Sequence, residues 1–132
     1  MTKLPSVLSR VLCNEIRVDP IKGETSLAGL FHARTVPRFP SPPQAFTAYV
    51  ALKGGKGEGI MQLMVTSLET EKDVYSYEKW FVAPGQDAIV NIEIKIRKCR
   101  FPVRGRYGFS LRFDGEEVTH RTLRVSQAKG RK

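Results

Sequence analysis

Two histidines and two cysteines are the side chains in this sequence best suited to metal binding or nucleophilic catalysis: His32, His120, Cys13 and Cys99. A zinc site needs three or four ligands of suitable type, and here no two candidates are close in the chain. A cysteine nucleophile needs an oriented base beside it, and nothing in the spacing pairs one with a histidine. We therefore expect no catalytic residues, no metal and no cofactor. The interpretation we prefer is two half-buried reduced thiols, and one disulfide stays possible if the strands that carry them are neighbours.

Two further motifs have chemical precedents. Residues 54–59 read Gly-Gly-Lys-Gly-Glu-Gly, but a phosphate-binding loop must open a helix. The residues that follow resemble a strand, so we predict a flexible hairpin loop. Residues 34–40 have the Arg-x-x-Pro-x-x-Pro spacing of proline-recognition ligands. A crossover between two sheets explains that segment better.

The distribution of charge is the most informative feature. The net charge is +9, and residues 95–132 supply all of it, with twelve basic and three acidic side chains. This asymmetry points to a candidate binding patch. Its residues are Lys95, Arg97, Lys98, Arg100, Arg104, Arg106 and Arg112.

Three interpretations of this basic patch stay open. The patch could be a solvated surface or one paired within the chain, by Glu69, Glu78 or Glu93. It could bind an acidic protein surface, for which arginine is well suited. It could also bind nucleic acid through counterion release, although the patch lacks the exposed aromatic residues of single-strand binders.

Alternating apolar residues predict the strands that position this patch. In residues 89–97, Val90, Ile92, Ile94 and Ile96 share one face, which is typical of a half-buried strand. A second strand over 106–113 buries Phe109 and Leu111. If these two strands pair, four cations share one sheet face. Lys98, Arg100 and Arg104 are expected in the loop between the two strands.

The other predicted strands lie at 10–18, 25–34, 45–53, 59–68, 73–82 and 117–125. Asp114-Gly115 predicts a two-residue hairpin before the last strand, and a bulge near His120 brings Val118 into phase. The Pro-rich residues 36–44 predict an extended connector. No segment shows convincing helical periodicity.

These elements predict an all-β fold: a two-sheet antiparallel β-sandwich of about seven or eight strands. Gly105 to Phe109 resembles the Gly-x-Tyr stretch of immunoglobulin-like domains, so the topology is immunoglobulin-like or related. Tyr107 should then bond a backbone group upstream of it. We expect one domain over 1–126 and a basic C-terminal tail over 127–132.

Several segments together resemble a family of small bacterial β-sandwich proteins of unknown function, over roughly residues 8 to 125. They are Val11 to Val18, Ser26 to Phe31, Phe39-Pro40, Phe101 to Val103, Gly105 to Phe109 and Asp114-Gly115. The resemblance implies a bacterial cytoplasmic protein with no assigned activity. It provides no catalytic residues.

The sequence therefore predicts a non-enzymatic protein-interaction or structural module, whose partner is another protein with, in one interpretation, an acidic surface. The alternative is a weak, sequence-independent nucleic-acid binder that uses the basic patch in residues 95–112. No apolar run is long enough to cross a bilayer, so we expect a cytoplasmic protein without a membrane partner. The oligomeric state is left open.

Overall fold

The computed structural model describes residues 3–128 and contains nine β-strands and no α-helix in that part of the chain. They are β1 (Ser6–Val18), β2 (Thr25–Phe31), β3 (Ala33–Val36), β4 (Gln44–Gly54), β5 (Glu58–Ser67), β6 (Asp73–Val82), β7 (Gly85–Cys99), β8 (Gly105–Phe113) and β9 (Glu116–Gln127). The predicted tail begins inside β9, at Gln127, and residues 129–132 lie outside the described residues.

The strands form two sheets that pack on each other. The four-stranded sheet has the order β2-β1-β4-β7, and the five-stranded sheet has the order β3-β9-β8-β5-β6. Antiparallel pairs dominate, and the apolar residues of both inner faces form one core. The all-β fold with two packed sheets is confirmed. The chain has nine strands rather than seven or eight, and one pair, β3 with β9, is parallel.

The additional strand comes from one predicted strand that the structure divides. Residues 25–34 were expected to form one strand, but β2 ends at Phe31 and β3 starts at Ala33. β2 pairs with β1 in one sheet, whereas β3 pairs with β9 in the other. The chain changes sheets at His32, and the residue pattern carries no signal of that change.

The predicted core faces are confirmed. Ile94 is 1% exposed and packs in the core with Phe109 and Leu111. Its neighbours at two-residue spacing, Ile92 and Ile96, are also buried. The opposite positions of β7 are exposed, because an outer strand of a sandwich buries one face and presents the other to solvent.

The connections confirm three predictions and correct one. Asp114 and Gly115 both have positive φ, as the hairpin between β8 and β9 requires. The β8–β9 register shifts between Leu111 and Arg112, which places the extra residue near His120. The Pro-rich residues lead from β3 in one sheet to β4 in the other. The glycine-rich loop also changes sheets, from β4 to β5, so the predicted hairpin there is wrong.

Both cysteines are free thiols, and both are fully buried rather than half-buried as predicted. Cys13 lies on β1 and Cys99 on β7, and β4 separates these strands in the sheet. The disulfide alternative is therefore wrong. Burial raises the pKa of the Cys99 thiol to about 12, because the thiolate loses its hydration inside the protein. Within residues 3–128, no helix is long and apolar enough to span a membrane.

Candidate functional site

The seven residues of the predicted basic patch do not share one surface. β7 belongs to the four-stranded sheet and β8 to the five-stranded sheet. These strands therefore do not pair, and the condition under which four cations would share one sheet face is not met. Lys95 and Arg97 lie on the outer face of one sheet, and Arg106 and Arg112 on that of the other. A sequence shows that two strands are consecutive, but not that the chain changes sheets between them.

The two arginines on β8 have polar or acidic neighbours within the chain. The Nε atom of Arg106 lies 3.7 Å from the Oε1 atom of Glu69. Arg112 faces Glu117 across the β8–β9 register, and its Nε donates to the Ser110 hydroxyl at 3.3 Å. That hydroxyl donates to Glu117 at 3.0 Å. Arg106 and Arg112 thus belong to the surface network of their own sheet.

The other five cations lie together in the chain, and we call them the basic edge: Lys95, Arg97, Lys98, Arg100 and Arg104. Each of them is exposed. Lys95 and Arg97 alternate with buried isoleucines on β7, which is an outer strand of its sheet. Lys98 is the residue before the end of β7 and has a positive φ of 62°. It therefore lies in the strand rather than in the loop as predicted. Arg100 and Arg104 lie in the loop as expected.

The loop that carries Arg100 and Arg104 is anchored between them. Phe101 is fully buried, and its ring centroid lies 4.8 Å from that of Tyr107. Its backbone amide donates to the Ser41 hydroxyl at 2.8 Å, and its carbonyl accepts from the Ser41 amide at 2.9 Å. These contacts fix the backbone of the loop and keep Arg100 and Arg104 close to the end of β7.

Tyr107 provides a second anchor for the same loop. Its hydroxyl donates to the carbonyl of Val103 and accepts from the Val103 amide at 3.3 Å. The predicted bond to an upstream backbone group is confirmed. Burial raises the pKa of Tyr107, and the bond from the Val103 amide opposes that rise. The phenol therefore stays neutral and can keep donating.

Tyrosines line a groove beside the basic edge. β6 and β7 are outer strands of the two sheets on the same side of the sandwich. Between them is a groove of about 430 Å³, lined by Tyr75, Tyr77, Glu93, Lys95 and Arg97. Partial burial raises the pKa of Tyr75, and a hydrogen bond from the backbone amide of Arg97 offsets part of that rise. We call this surface the edge groove.

The edge groove places two half-buried tyrosines, Tyr75 and Tyr77, beside the basic edge, a neighbourhood that was not predicted from the sequence. The alternation of Tyr75 and Tyr77 predicted a strand correctly. The sequence gives no sign that this strand lies beside β7, because the two strands are in different sheets. The neighbouring residues of a groove between sheet edges depend on how the two sheets stack.

The other candidate chemistry stays dispersed. Among residues 3–128, no three His, Cys, Asp or Glu side chains come close enough together to hold a metal ion. The Nδ1 atom of His32 lies 2.7 Å from the Nη2 atom of Arg121. This contact joins the junction of β2 and β3 to β9.

Comparisons with known proteins give one family. A family model described as a family of unknown function (DUF6941) matches residues 8–126. No curated protein matches the sequence. Among solved structures, the chain is similar to the crystal structure of a beta-D-glucoside glucohydrolase from Trichoderma reesei, with 12% identity and a TM-score of 0.45. That match covers 93% of this chain and 19% of the enzyme, so the chain spans about a fifth of the enzyme's length.

Proposed function

The chain belongs to the DUF6941 family of unknown function, and from its surface we propose that it is a non-enzymatic protein-interaction module. Its binding site is the basic edge with the adjoining edge groove, and its partner presents an acidic surface. The observation that carries this proposal is the concentration of five exposed cations at the end of β7, the outer strand of its sheet, and in the loop that follows it. Sheet edges and their flanking loops are common contact surfaces, because they offer free backbone groups on a rigid scaffold.

Within the part of the chain that the structure describes, the cations of the basic edge form no ion pair with an acidic side chain. Among residues 3–128, the ion pairs are Arg17 with Glu15 and Arg106 with Glu69, and neither involves the basic edge. Glu93 is the carboxylate that lines the edge groove. Like charges held close together repel, so an acidic ligand lowers the energy of this surface when it binds.

The residue types suit an anion with paired oxygens. Three of the five cations are arginines, whose planar guanidinium forms two parallel hydrogen bonds to one carboxylate or phosphate. The anchors at Phe101 and Tyr107 restrict the loop that carries Arg100 and Arg104. A restricted loop loses less entropy on binding than a mobile one.

We assign the finer topology to the immunoglobulin-like class, and the strand order supports this. In that class, strands B and E share one sheet, and C, F and G share the other, which some members extend by C′. Here β4 and β7 take the places of B and E, and β5, β8 and β9 those of C, F and G. β6 takes the place of C′, and β1 that of A.

Two details of the core also support the immunoglobulin-like assignment. Tyr107 lies near the start of β8, where the tyrosine corner of strand F lies in such domains. Phe109 follows two residues later, at the position of the disulfide cysteine in antibody domains. Its ring lies 6.0 Å from that of Phe46 on β4, so an aromatic contact stands in place of the disulfide between the sheets.

We also propose a bacterial cytoplasmic location. The resemblance of the sequence to small bacterial sandwich proteins motivates this. The two free thiols, Cys13 and Cys99, are consistent with a reducing compartment, because cytoplasmic proteins keep their cysteines reduced.

Nucleic-acid binding is the second candidate, and one observation favours it. Tyr75 and Tyr77 lie beside Lys95 and Arg97 in the edge groove, and single-strand binders combine a cationic track with aromatic platforms. The division of the basic patch between two sheets weighs against this candidate. It removes Arg106 and Arg112 from the track and leaves fewer phosphate contacts.

A gel-shift series with salt separates the two functions. We expect no retention of mixed DNA and RNA at about 150 mM salt, because a surface with few phosphate contacts loses its electrostatic affinity there. The measurement is a gel shift from about 50 to 150 mM salt. The second candidate would replace the proposed function if nucleic acid is retained at the higher salt and log K, plotted against log salt concentration, has a slope of about −0.9 per neutralised phosphate on duplex.

A further inference from the structure

We propose that an extended acidic segment of the partner adds as a sixth strand to the five-stranded sheet, along the free edge of β6. This inference rests on the proposed function and names how the partner binds. In such strand addition, backbone hydrogen bonds supply affinity, and alternate side chains supply specificity. The segment would contact the outer face of β6 with one set of side chains and the edge groove with the other.

The outer face of β6 is apolar and exposed at its C-terminal end. Trp80 is 57% exposed and Val82 is 59% exposed, and Ile60 on β5 lies directly opposite Trp80. Edge strands usually carry charges that prevent pairing with other chains, and β6 has Glu78 and Lys79 near its middle. The exposed tryptophan and valine beyond them offer the cross-strand contacts that an added strand needs, and a partner of complementary charge is required at the two charged positions.

The inner side of the same edge has more cations than acids, because Glu93 is the one carboxylate among the residues that line the edge groove. Tyr75, Tyr77 and Lys79 occupy the alternate positions of β6, and the first two line the edge groove. Lys95 and Arg97 of β7 line that groove from the other sheet. Side chains of an added strand that point toward the second sheet would therefore meet Lys79, Lys95 and Arg97.

Charge sorts the two faces of the added segment. On the outer face, Glu78 shares a row with Trp80 and Val82 and accepts from Gln62 at 3.1 Å, so an acidic residue is disfavoured there. On the inner side the cations favour one. The segment should alternate apolar residues, toward Trp80 and Val82, with Asp or Glu toward the edge groove.

The same charges argue for a different protein over a second copy. Each copy carries a net charge of +9. Two copies paired along β6 would bring two sets of edge cations together, which repel at short range. An acidic segment meets the opposite field.

The test uses synthetic peptides and the fluorescence of Trp80, the one tryptophan of the chain. The probe is a peptide of about nine residues that alternates Val and Glu. A control peptide has the same composition in two blocks. We expect the alternating peptide to shift Trp80 emission to the blue and to bind at least tenfold more tightly than the blocked one. Two further versions of the alternating peptide carry N-methyl groups on every second backbone amide, in one register or the other. One version should bind at least tenfold more weakly and the other almost unchanged, because only one set of amides points toward β6.

A matched pair of variants keeps the test independent of folding. Val82 on β6 and Val18 on β1 are 59% and 60% exposed. Val82→Ser should weaken the alternating peptide severalfold, and Val18→Ser should leave its affinity unchanged. Strand addition is overturned if both N-methylated peptides bind alike or if Trp80 emission does not respond to the alternating peptide. It is also overturned if the free protein is a dimer that Val82→Ser dissociates, or if nucleic acid displaces the peptide at about 150 mM salt. Equal binding of the alternating and the blocked peptide overturns strand addition but keeps the proposed function. If neither of these peptides binds and polyglutamate does not bind either, the proposed function is overturned too.

Discussion

Replacing Ile94 by Ala should lower the free energy of unfolding by about 2–5 kcal/mol, which is the range for truncating a fully buried isoleucine. Ile94 is 1% exposed and lies at the centre of β7, between Ile92 and Ile96. Its side chain fills the space between the sheets, where close packing leaves little room for relaxation. Urea unfolding of the wild type and the variant measures the difference.

Ile89→Ala is the matched control for this experiment. Ile89 lies on the same strand but is 58% exposed, so its truncation should change the stability by no more than about 0.5 kcal/mol. A larger effect of Ile89→Ala than of Ile94→Ala would mean that β7 buries its other face. Lys95 and Arg97, which share that face with Ile89, would then point into the core, and the edge groove described above could not exist.

Reversing three charges of the basic edge together, Arg97→Glu, Arg100→Glu and Arg104→Glu, should strongly weaken the binding of an acidic polypeptide. Each reversal removes an attraction and adds a repulsion, so three exposed pairs amount to roughly 2–4 kcal/mol, or about 30- to 1,000-fold in Kd. Polyglutamate is a suitable probe, and its affinity can be measured by titration calorimetry. The melting temperature should hardly change, because none of the three side chains forms an ion pair within residues 3–128.

A second triple variant controls for net charge. Lys3, Lys53 and Lys56 line a depression with Gly54 and Gln86, at the end of β4 away from the basic edge. Reversing these three lysines changes the net charge by the same amount. We expect this control to retain most of the affinity for polyglutamate. Equal losses in the two variants would show that the long-range field of the protein, rather than the basic edge, attracts the probe.

Most strands were predicted from the sequence, because apolar and β-branched residues at two-residue spacing are typical of half-buried strands. β6 was predicted with its observed bounds, 73–82, and the buried face of β7 was identified from its isoleucines. The prediction failed where the chain changes sheets. The division at His32 and the crossing from β4 to β5 depend on which strands finally pair, which is a long-range property.

The same limitation divided the candidate site. Consecutive strands are usually neighbours in one sheet, and this expectation placed Lys95 and Arg97 beside Arg106 and Arg112. In the structure β7 leads across to the other sheet. The cations near the crossing were identified correctly as residues, but their surroundings were not. Tyr75 and Tyr77 were missed as neighbours, since only the stacking of β6 beside β7 brings them to Lys95 and Arg97.

Site-specific photocrosslinking tests the proposed function most directly. A photoreactive amino acid is placed at Arg100 in the basic edge or, as the control, at Lys56 at the other end of β4, and cells that produce the full chain are irradiated. We predict covalent adducts from position 100 that protease digests and nuclease leaves intact, with few or none from position 56. Adducts from position 100 that nuclease removes would contradict the proposed function, and so would equal adduct yields from both positions.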